Sequence, residues 1–261
     1  MQIQFTKYQG TGNDFIILDN RNKAFDHFPL STIQFLCNRH FGIGADGLML
    51  LNEQTGYDFG MTYFNSDGNE SSMCGNGGRC ITAFANELGI VRNHANFYAI
   101  DGAHQSAIQT NGIIDLKMND VTSILIKETF FQLNTGSPHY VHFSEDVKDL
   151  DVKREGALIR YSPMFKEHGI NVNFVELLDE QTIYVRTYER GVEDETLSCG
   201  TGVTASALSF IKDRLGNQQV MVKTLGGELQ VGCENMDGQH FRNIWLSGPA
   251  KRVFQGVIHV E

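Results

Sequence analysis

Cys74-Gly75-Asn76-Gly77-Gly78-Arg79-Cys80 is the stretch on which the reading of this chain turns, and it has an echo at Cys199-Gly200-Thr201-Gly202-Val203-Thr204-Ala205. In both places a cysteine opens a turn of small residues. A helix-like run follows, over 81–88 in the first and 203–215 in the second. The start of a helix leaves backbone N–H groups without intrahelical partners and carries the positive end of the helix dipole. Glycines let an anion approach that backbone closely. A thiol there has its thiolate stabilised, so its pKa is expected below the free value of about 8.5. Two such cysteines in matching frames point to a reaction that needs two thiols.

The echo is part of a longer repeat with an offset near 125. Gly12 matches Gly136, Tyr63 matches Tyr188, Cys74 matches Cys199 and Gly102 matches Gly227. The turn Asn111-Gly112, a hairpin signal between two alternating runs, matches Asp237-Gly238. Fixed-offset similarity of this kind indicates a duplicated unit. The expectation is therefore an α+β chain of two pseudo-symmetric halves. Each is a mostly antiparallel sheet or barrel wrapped around one central helix, because a helix apolar on most sides must be buried. The join is expected near 115–125, with halves of 1–118 plus 251–261 and 119–250.

Within each half the motifs sit on a simple frame. Residues 3–8 alternate as a strand, 16–18 form another, and Ser31 is placed to cap a helix running to His40. Gly42-Ile43-Gly44-Ala45-Asp46-Gly47 matches the G-x-G-x-x-G pattern, but Leu48-Met49-Leu50-Leu51 after it reads as a buried strand. The dinucleotide fingerprint requires a helix there, so that reading is set aside. Residues 58–64 read as a strand leading into the turn Asn65-Ser66-Asp67-Gly68.

Composition narrows the class. A net charge of −10 with no Lys/Arg-rich run argues against a nucleic-acid partner. The apolar runs are too short for a bilayer, so no membrane partner is expected. The first residues read as a strand rather than a signal peptide, and five cysteines are an odd number at spacings unlike a secreted disulfide framework. Both features suit a reducing cytoplasm.

The chemistry follows from the pair. Two equivalent halves facing each other would bring Cys74 and Cys199 to opposite walls of one cleft. A thiolate on one face of a carbon and a thiol on the other can remove a proton and return one, which inverts the stereocentre. The N–H groups of Gly75, Asn76, Gly200 and Thr201 would hold the substrate α-carboxylate and stabilise charge that builds up as the α-proton leaves. This scheme needs no metal and no cofactor.

At this point the sequence resembles a known family. Gly10-Thr11-Gly12-Asn13-Asp14-Phe15, Asn65-x-Asp67-Gly68, Met73-Cys74-Gly75-Asn76-Gly77-x-Arg79-Cys80, Pro138-His139, Tyr188-Glu189-Arg190-Gly191 and Ser198-Cys199-Gly200-Thr201-Gly202 are similar to the motifs of diaminopimelate epimerases. The resemblance runs to Gly248-Pro249-Ala250. It implies a cofactor-independent epimerase that interconverts LL- and meso-diaminopimelate on the route to lysine, a homodimer, and a last strand that returns to the first half. Carried over by position, Cys74 and Cys199 are the acid/base pair, and His139 and Glu189 assist them. Asn13, Asn65, Asn171 and Arg190 are substrate ligands, with Arg190 on the distal carboxylate. Three positions depart from the pattern. Ser137 replaces an Asn, Gly47 stands where some members have Gln, and the loop 192–196 is longer and lacks a glycine.

Other readings of the same residues differ in class. Cys37, Cys80 and Cys233 read as small buried hydrophobes. A zinc site using Cys74, Cys80 and His139 or Cys199 would rest on a C-x₅-C spacing, which structural zinc sites disfavour. A redox dithiol would lack the C-x-x-C motif. His139 could be a hydrogen-bonded core histidine. Asn173 competes with Asn171 as the ligand of its strand and reads as a support of the fold. A proline racemase, the alternative within two-thiol chemistry, would need an apolar, closed distal end.

Overall fold

The run Leu48-Met49-Leu50-Leu51 is apolar without a break because its strand is buried on both faces. The structure is a computed structural model and describes residues 1–260. They divide into two compact units, Met1–Leu116 with the stretch from Gly248 onward, and Lys117–Ser247.

The first unit comprises β1 (Gln2–Gly10), β2 (Asn13–Asp19), α1 (Leu30–Cys37), β3 (Gly47–Asn52), β4 (Phe59–Asn65), β5 (Glu70–Ser71), α2 (Gly75–Glu87), β6 (His94–Ala99), β7 (Gly102–Ile108) and β8 (Ile114–Lys117). The second comprises β9 (Leu125–Ile126), β10 (Phe131–Asn134), β11 (Pro138–Phe143), α3 (Val152–Arg160), β12 (Asn171–Leu177), β13 (Thr182–Glu189), β14 (Asp194–Thr196), α4 (Gly200–Phe210), β15 (Gly216–Thr224), β16 (Gly227–Asn235) and β17 (Phe241–Gly248). The last strand, β18 (Lys251–His259), pairs antiparallel with β1.

The two units repeat one topology. In the first, β2–β3 and β4–β6 pair parallel, while β1–β2, β3–β4, β4–β5, β6–β7 and β7–β8 pair antiparallel. In the second, β11–β12 and β13–β15 are the parallel pairs, and β10–β11, β12–β13, β13–β14, β15–β16 and β16–β17 are antiparallel. β18 flanks β1 as β9 flanks β10. The α+β class and the two repeated halves expected from the offset are the architecture found. The matched glycines keep their backbone too. Gly12 and Gly136 have φ of 88° and 111°, and Gly102 and Gly227 have 116° and 140°, conformations that disfavour a Cβ.

Each unit is layered around its sheet. Alternate residues of a strand face opposite sides. Ile16, Leu18, Leu48 and Leu50 join Ile33 and Leu36 of α1 in one cluster. On the other face lies α2, packed on β1, β2, β3 and β7. Its Cys80, Ile81, Phe84 and Ala85 are buried, and burying Ile81 and Phe84 contributes about 1.5–3 kcal/mol each. In the second unit Val172 and Phe174 join Val152 of α3 on one face, and α4 packs on β10 to β13, β15 and β16.

Three helices differ from the sequence reading in where they begin or end. α1 starts at Leu30 with Pro29 as its N-cap, so Ser31 caps nothing, and it stops at Cys37 rather than His40. Proline's fixed φ suits a helix start. The Asn38 side-chain carbonyl then accepts the N–H groups of His40 and Phe41 and turns the chain away. Both central helices begin earlier than read. α2 starts at Gly75 and α4 at Gly200, so the small-residue turns are the first helical turns themselves, and α4 ends at Phe210. Both cysteines are therefore N-cap residues.

Candidate active site

In the first unit the residues expected to act gather at the N-terminus of α2. The sulphur of Cys74 accepts the Gly77 N–H at 3.1 Å, the bond a capping side chain makes. Asn13 Oδ1 lies 4.0 Å from that sulphur and accepts the Asn76 amide at 3.4 Å. The other end of Asn13 is fixed because its Nδ2 donates to Asp46 at 2.5 Å. Asp46 is held in turn by Arg39 at 2.7 Å, and Arg39 and the buried Lys7 both pair with Asp14, at 2.7 and 2.8 Å. Burial alone would raise the Asp14 pKa, but its bonds to Arg39 and Lys7 outweigh that and hold the carboxyl well below the usual range. Asn65 ends β4 opposite Gly47 of β3.

Arg79 completes this group, and the sequence reading gave it no role. Its guanidinium is fully buried. It donates to Gly75 O at 3.1 Å, Asn76 Oδ1 at 2.8 Å and Thr11 Oγ1 at 3.3 Å, all neutral acceptors. Burial pushes its pKa down to about 10, so it stays charged at neutral pH. A buried cation at the first turn of α2 adds to the dipole in favouring an anion there. Arg79 also orients the Asn76 amide that reaches Asn13.

In the second unit the N-cap cysteine of α4 meets a hydroxyl. Cys199 Sγ lies 3.4 Å from Thr201 Oγ1, and Thr201 Oγ1 lies 2.9 Å from His139 Nε2. His139 is wholly buried, and burial, with the positive charge of Arg190 acting the same way, pushes its pKa down from 6.5 to about 3. The ring is therefore neutral at neutral pH. Asn171 donates to Ser137 Oγ at 2.8 Å and to Pro138 O at 3.2 Å, and its Oδ1 accepts the Arg190 N–H at 2.8 Å. Ser137 thus takes part in the hydrogen bonding of Asn171. Arg190 is exposed and donates to His168 O at 2.9 Å. Glu189 accepts from Thr196 Oγ1 at 3.0 Å. In the loop 192–196 Glu193 has φ 57°, and its carboxylate accepts from Tyr161 at 2.9 Å and Tyr188 at 3.0 Å.

The depressed His139 pKa carries a stability prediction. The unfolded chain binds a proton at about pH 6.5 and the folded chain only near 3, so stability is complete above 6.5 and is lost as pH falls through that window. The slope is about 1.4 kcal/mol per pH unit. Urea unfolding at pH 7 and pH 5 should show wild type losing about 2 kcal/mol more than His139→Gln. Equal losses would mean that His139 titrates normally.

The remaining thiols are inert. Burial pushes Cys37 and Cys233 up to about 12 and Cys80 higher still. Among the described residues no helix is long and apolar enough to cross a membrane.

The chain is similar to known proteins along nearly its whole length. The family model for diaminopimelate epimerase matches residues 5–123 and again 131–253, once per repeat. A diaminopimelate epimerase of Flavobacterium psychrophilum is 50% identical over 253 residues, covering 97% of this chain and 98% of the relative. One from Aquifex aeolicus is 38% identical, covering 99% of each. Among solved structures, a phenazine biosynthesis protein of the PhzF family from Bacillus anthracis superposes with a TM-score of 0.75 over 100% of both chains at 13% identity. A hydroxyproline epimerase from Agrobacterium vitis gives 0.68 at 13% identity, covering 98% and 92%. Likeness at that identity extends to the fold alone. By the family model and the full-length relatives, the chain belongs to the diaminopimelate epimerase family.

Proposed function

We propose that this chain interconverts LL- and meso-diaminopimelate by removing the α-proton with one cysteine and returning a proton from the other, in the biosynthesis of lysine. The observation that carries the reading is the matched placement of the thiols. Cys74 and Cys199 are N-caps of the two equivalent central helices, in a chain 50% identical to a diaminopimelate epimerase along nearly its whole length. One thiol must be a thiolate while the other keeps its proton, and the two exchange roles when the opposite isomer enters. The Gly75, Asn76, Gly200 and Thr201 N–H groups bind the α-carboxylate and stabilise the charge that develops on it. Arg190 forms a bidentate pair with the distal carboxylate, and Asn13, Asn65 and Asn171 supply polar contacts to the substrate. His139 and Glu189 support the thiols. The chemistry needs no cofactor, because the thiols themselves carry the protons. The net charge of −10 speaks against a nucleic-acid partner. The resemblance extends the reading to a homodimer, and the cysteine usage to the cytoplasm.

The test is chiral chromatography of LL-diaminopimelate incubated with reduced protein, a chelator and no pyridoxal phosphate, with L-proline in parallel. Appearance of the meso isomer with proline unchanged is the expected result. Conversion of proline alone would replace the substrate but keep the mechanism. Conversion of neither would return the thiols to the redox alternative.

A further inference from the structure

The strand registers show what the repeat has changed at its most buried positions. In the first unit Ile17, Met49 and Tyr63 form one cross-strand row through β2, β3 and β4. In the second, Val141, Asn173 and Thr187 form the corresponding row through β11, β12 and β13. Thr187 rather than Tyr188 is thus the counterpart of Tyr63. Two residues earlier on the same faces, Phe15 corresponds to His139. Both rows lie under the first turn of a central helix. A Cβ added to Gly77 of α2 would come 3.3 Å from the Met49 sulphur, and one added to Gly202 of α4 would come 2.3 Å from Asn173 Oδ1. Phe15, Met49 and Tyr63, of which Phe15 and Tyr63 pack edge to face, stand where the second unit has the hydrogen-bonded set His139, Asn173 and Thr187. Burying polar groups in place of well-packed apolar ones costs stability, so the exchange calls for a function.

The hydrogen bonds define that function. Tyr140 O is a carbonyl and only accepts, and it lies 3.0 Å from one end of the Asn173 amide, so that end is the NH₂. The other end accepts the Thr187 hydroxyl at 2.9 Å. The same NH₂ lies 3.0 Å from His139 Nδ1, which must therefore accept. A neutral imidazole that accepts at Nδ1 carries its proton on Nε2. Nε2 faces Thr201 Oγ1 at 2.9 Å, so the ring donates there. A Cys199 thiolate can only accept, so towards it the Thr201 hydroxyl donates across 3.4 Å.

We propose that Asn173 is a positioning residue that fixes His139 as the Nε2–H tautomer, so that a directed chain of donors runs from Asn173 through His139 and Thr201 to Cys199. The proposal rests on the reading of Cys199 as a proton carrier. Within it, His139 is a hydrogen-bond donor that stabilises the Cys199 thiolate, not a base that deprotonates the thiol. Asn173 is fully buried beneath α4 and acts only through the ring.

The test combines the position of a proton with kinetics. Nitrogen-15 NMR of histidine-labelled wild type at pH 7 should show the His139 ring neutral and protonated at Nε2. Asn173→Asp places an acceptor against Nδ1 and should move the proton to Nδ1. kcat for LL-diaminopimelate should fall by about 10²-fold, with KM changed little. Asn173→Met, which restores the residue of the first unit, should fold and leave the tautomer mixed, with an intermediate loss. A wild-type ring protonated at Nδ1, or a tautomer that moves in Asn173→Asp with kcat unchanged, would overturn the proposal. If wild type shows the Nε2–H tautomer and converts no diaminopimelate, the functional reading fails while the assignment of the proton stands.

Discussion

Cys74→Ala and Cys199→Ala each abolish the conversion of LL-diaminopimelate to its meso isomer, lowering kcat by about 10³-fold or more, while both variants stay folded. The size follows from the chemistry. A positioned acid or base contributes about 10²–10⁴-fold, and inversion needs one group to take the proton and another to deliver one. The Gly77 N–H, the Asn13 amide and the Thr201 hydroxyl cannot substitute. The Cys74 sulphur is met by a backbone N–H and by Asn13, neither of which carries a labile proton at neutral pH. The Cys199 sulphur is met by the Thr201 hydroxyl, whose acidity is far too low. Serine in place of either cysteine fails for the same reason. Cys233→Ala is the matched comparison, since Cys233 lies on β16 with its thiol pushed up to about 12. It keeps kcat and loses only packing energy. Progress curves for the three variants check this, and a Cys199→Ala protein that still inverts at a tenth of the wild-type rate would rule out the two-thiol scheme.

Gly202→Ala destabilises the protein by about 3 kcal/mol and lowers kcat more than tenfold. Its Cβ would lie 2.3 Å from Asn173 Oδ1 and 3.3 Å from His139 Cε1. The Asn173 amide cannot yield, because three bonds of 2.9–3.0 Å hold it to Thr187, His139 and Tyr140. Overpacking a rigid core site costs about 1–3 kcal/mol, and a broken bond leaves a buried polar group unmet at a further 1–3 kcal/mol or so. Gly232→Ala on β16 is the contrast. Its added Cβ would meet nothing nearer than 4.0 Å, so the change stays within about 1 kcal/mol. Urea unfolding of both variants decides the point, and equal midpoints would contradict the contact that explains the second glycine of Cys199-Gly200-Thr201-Gly202.

These two expectations show where the sequence could be read and where it could not. The duplicated half was legible because glycines with positive φ and hairpin turns leave fixed residue types at a fixed offset. The buried strand at Leu48–Leu51 was legible because a strand covered on both faces has no polar alternation. The start of α2 was not. Gly75 to Gly78 have poor helix propensity, and the helix is imposed there by packing and by the Cys74 and Arg79 bonds. Asn173 reads as a support of the fold for a similar reason. A single asparagine in Val172-Asn173-Phe174-Val175 looks like a tolerated polar residue until the strand register sets it opposite Thr187 and beside His139. The signal that could have found it was the repeat itself, since its counterpart is Met49. Arg79 sits in a motif with no sign of its role, because burial of a guanidinium among neutral partners leaves no trace in composition. The link from Asn13 to Asp46 also joins residues 33 apart in sequence, too far for spacing to connect.

In the two-thiol scheme the proton removed is not the proton returned. The most direct measurement is proton NMR of LL-diaminopimelate turned over by the reduced wild-type protein in heavy water, followed from the first few per cent of conversion. The meso isomer should carry deuterium at its inverted centre from the earliest turnovers, while the remaining LL substrate keeps its α-proton. Early meso product that retains the substrate's own α-proton would mean that a single group both takes and returns it, and would contradict the account.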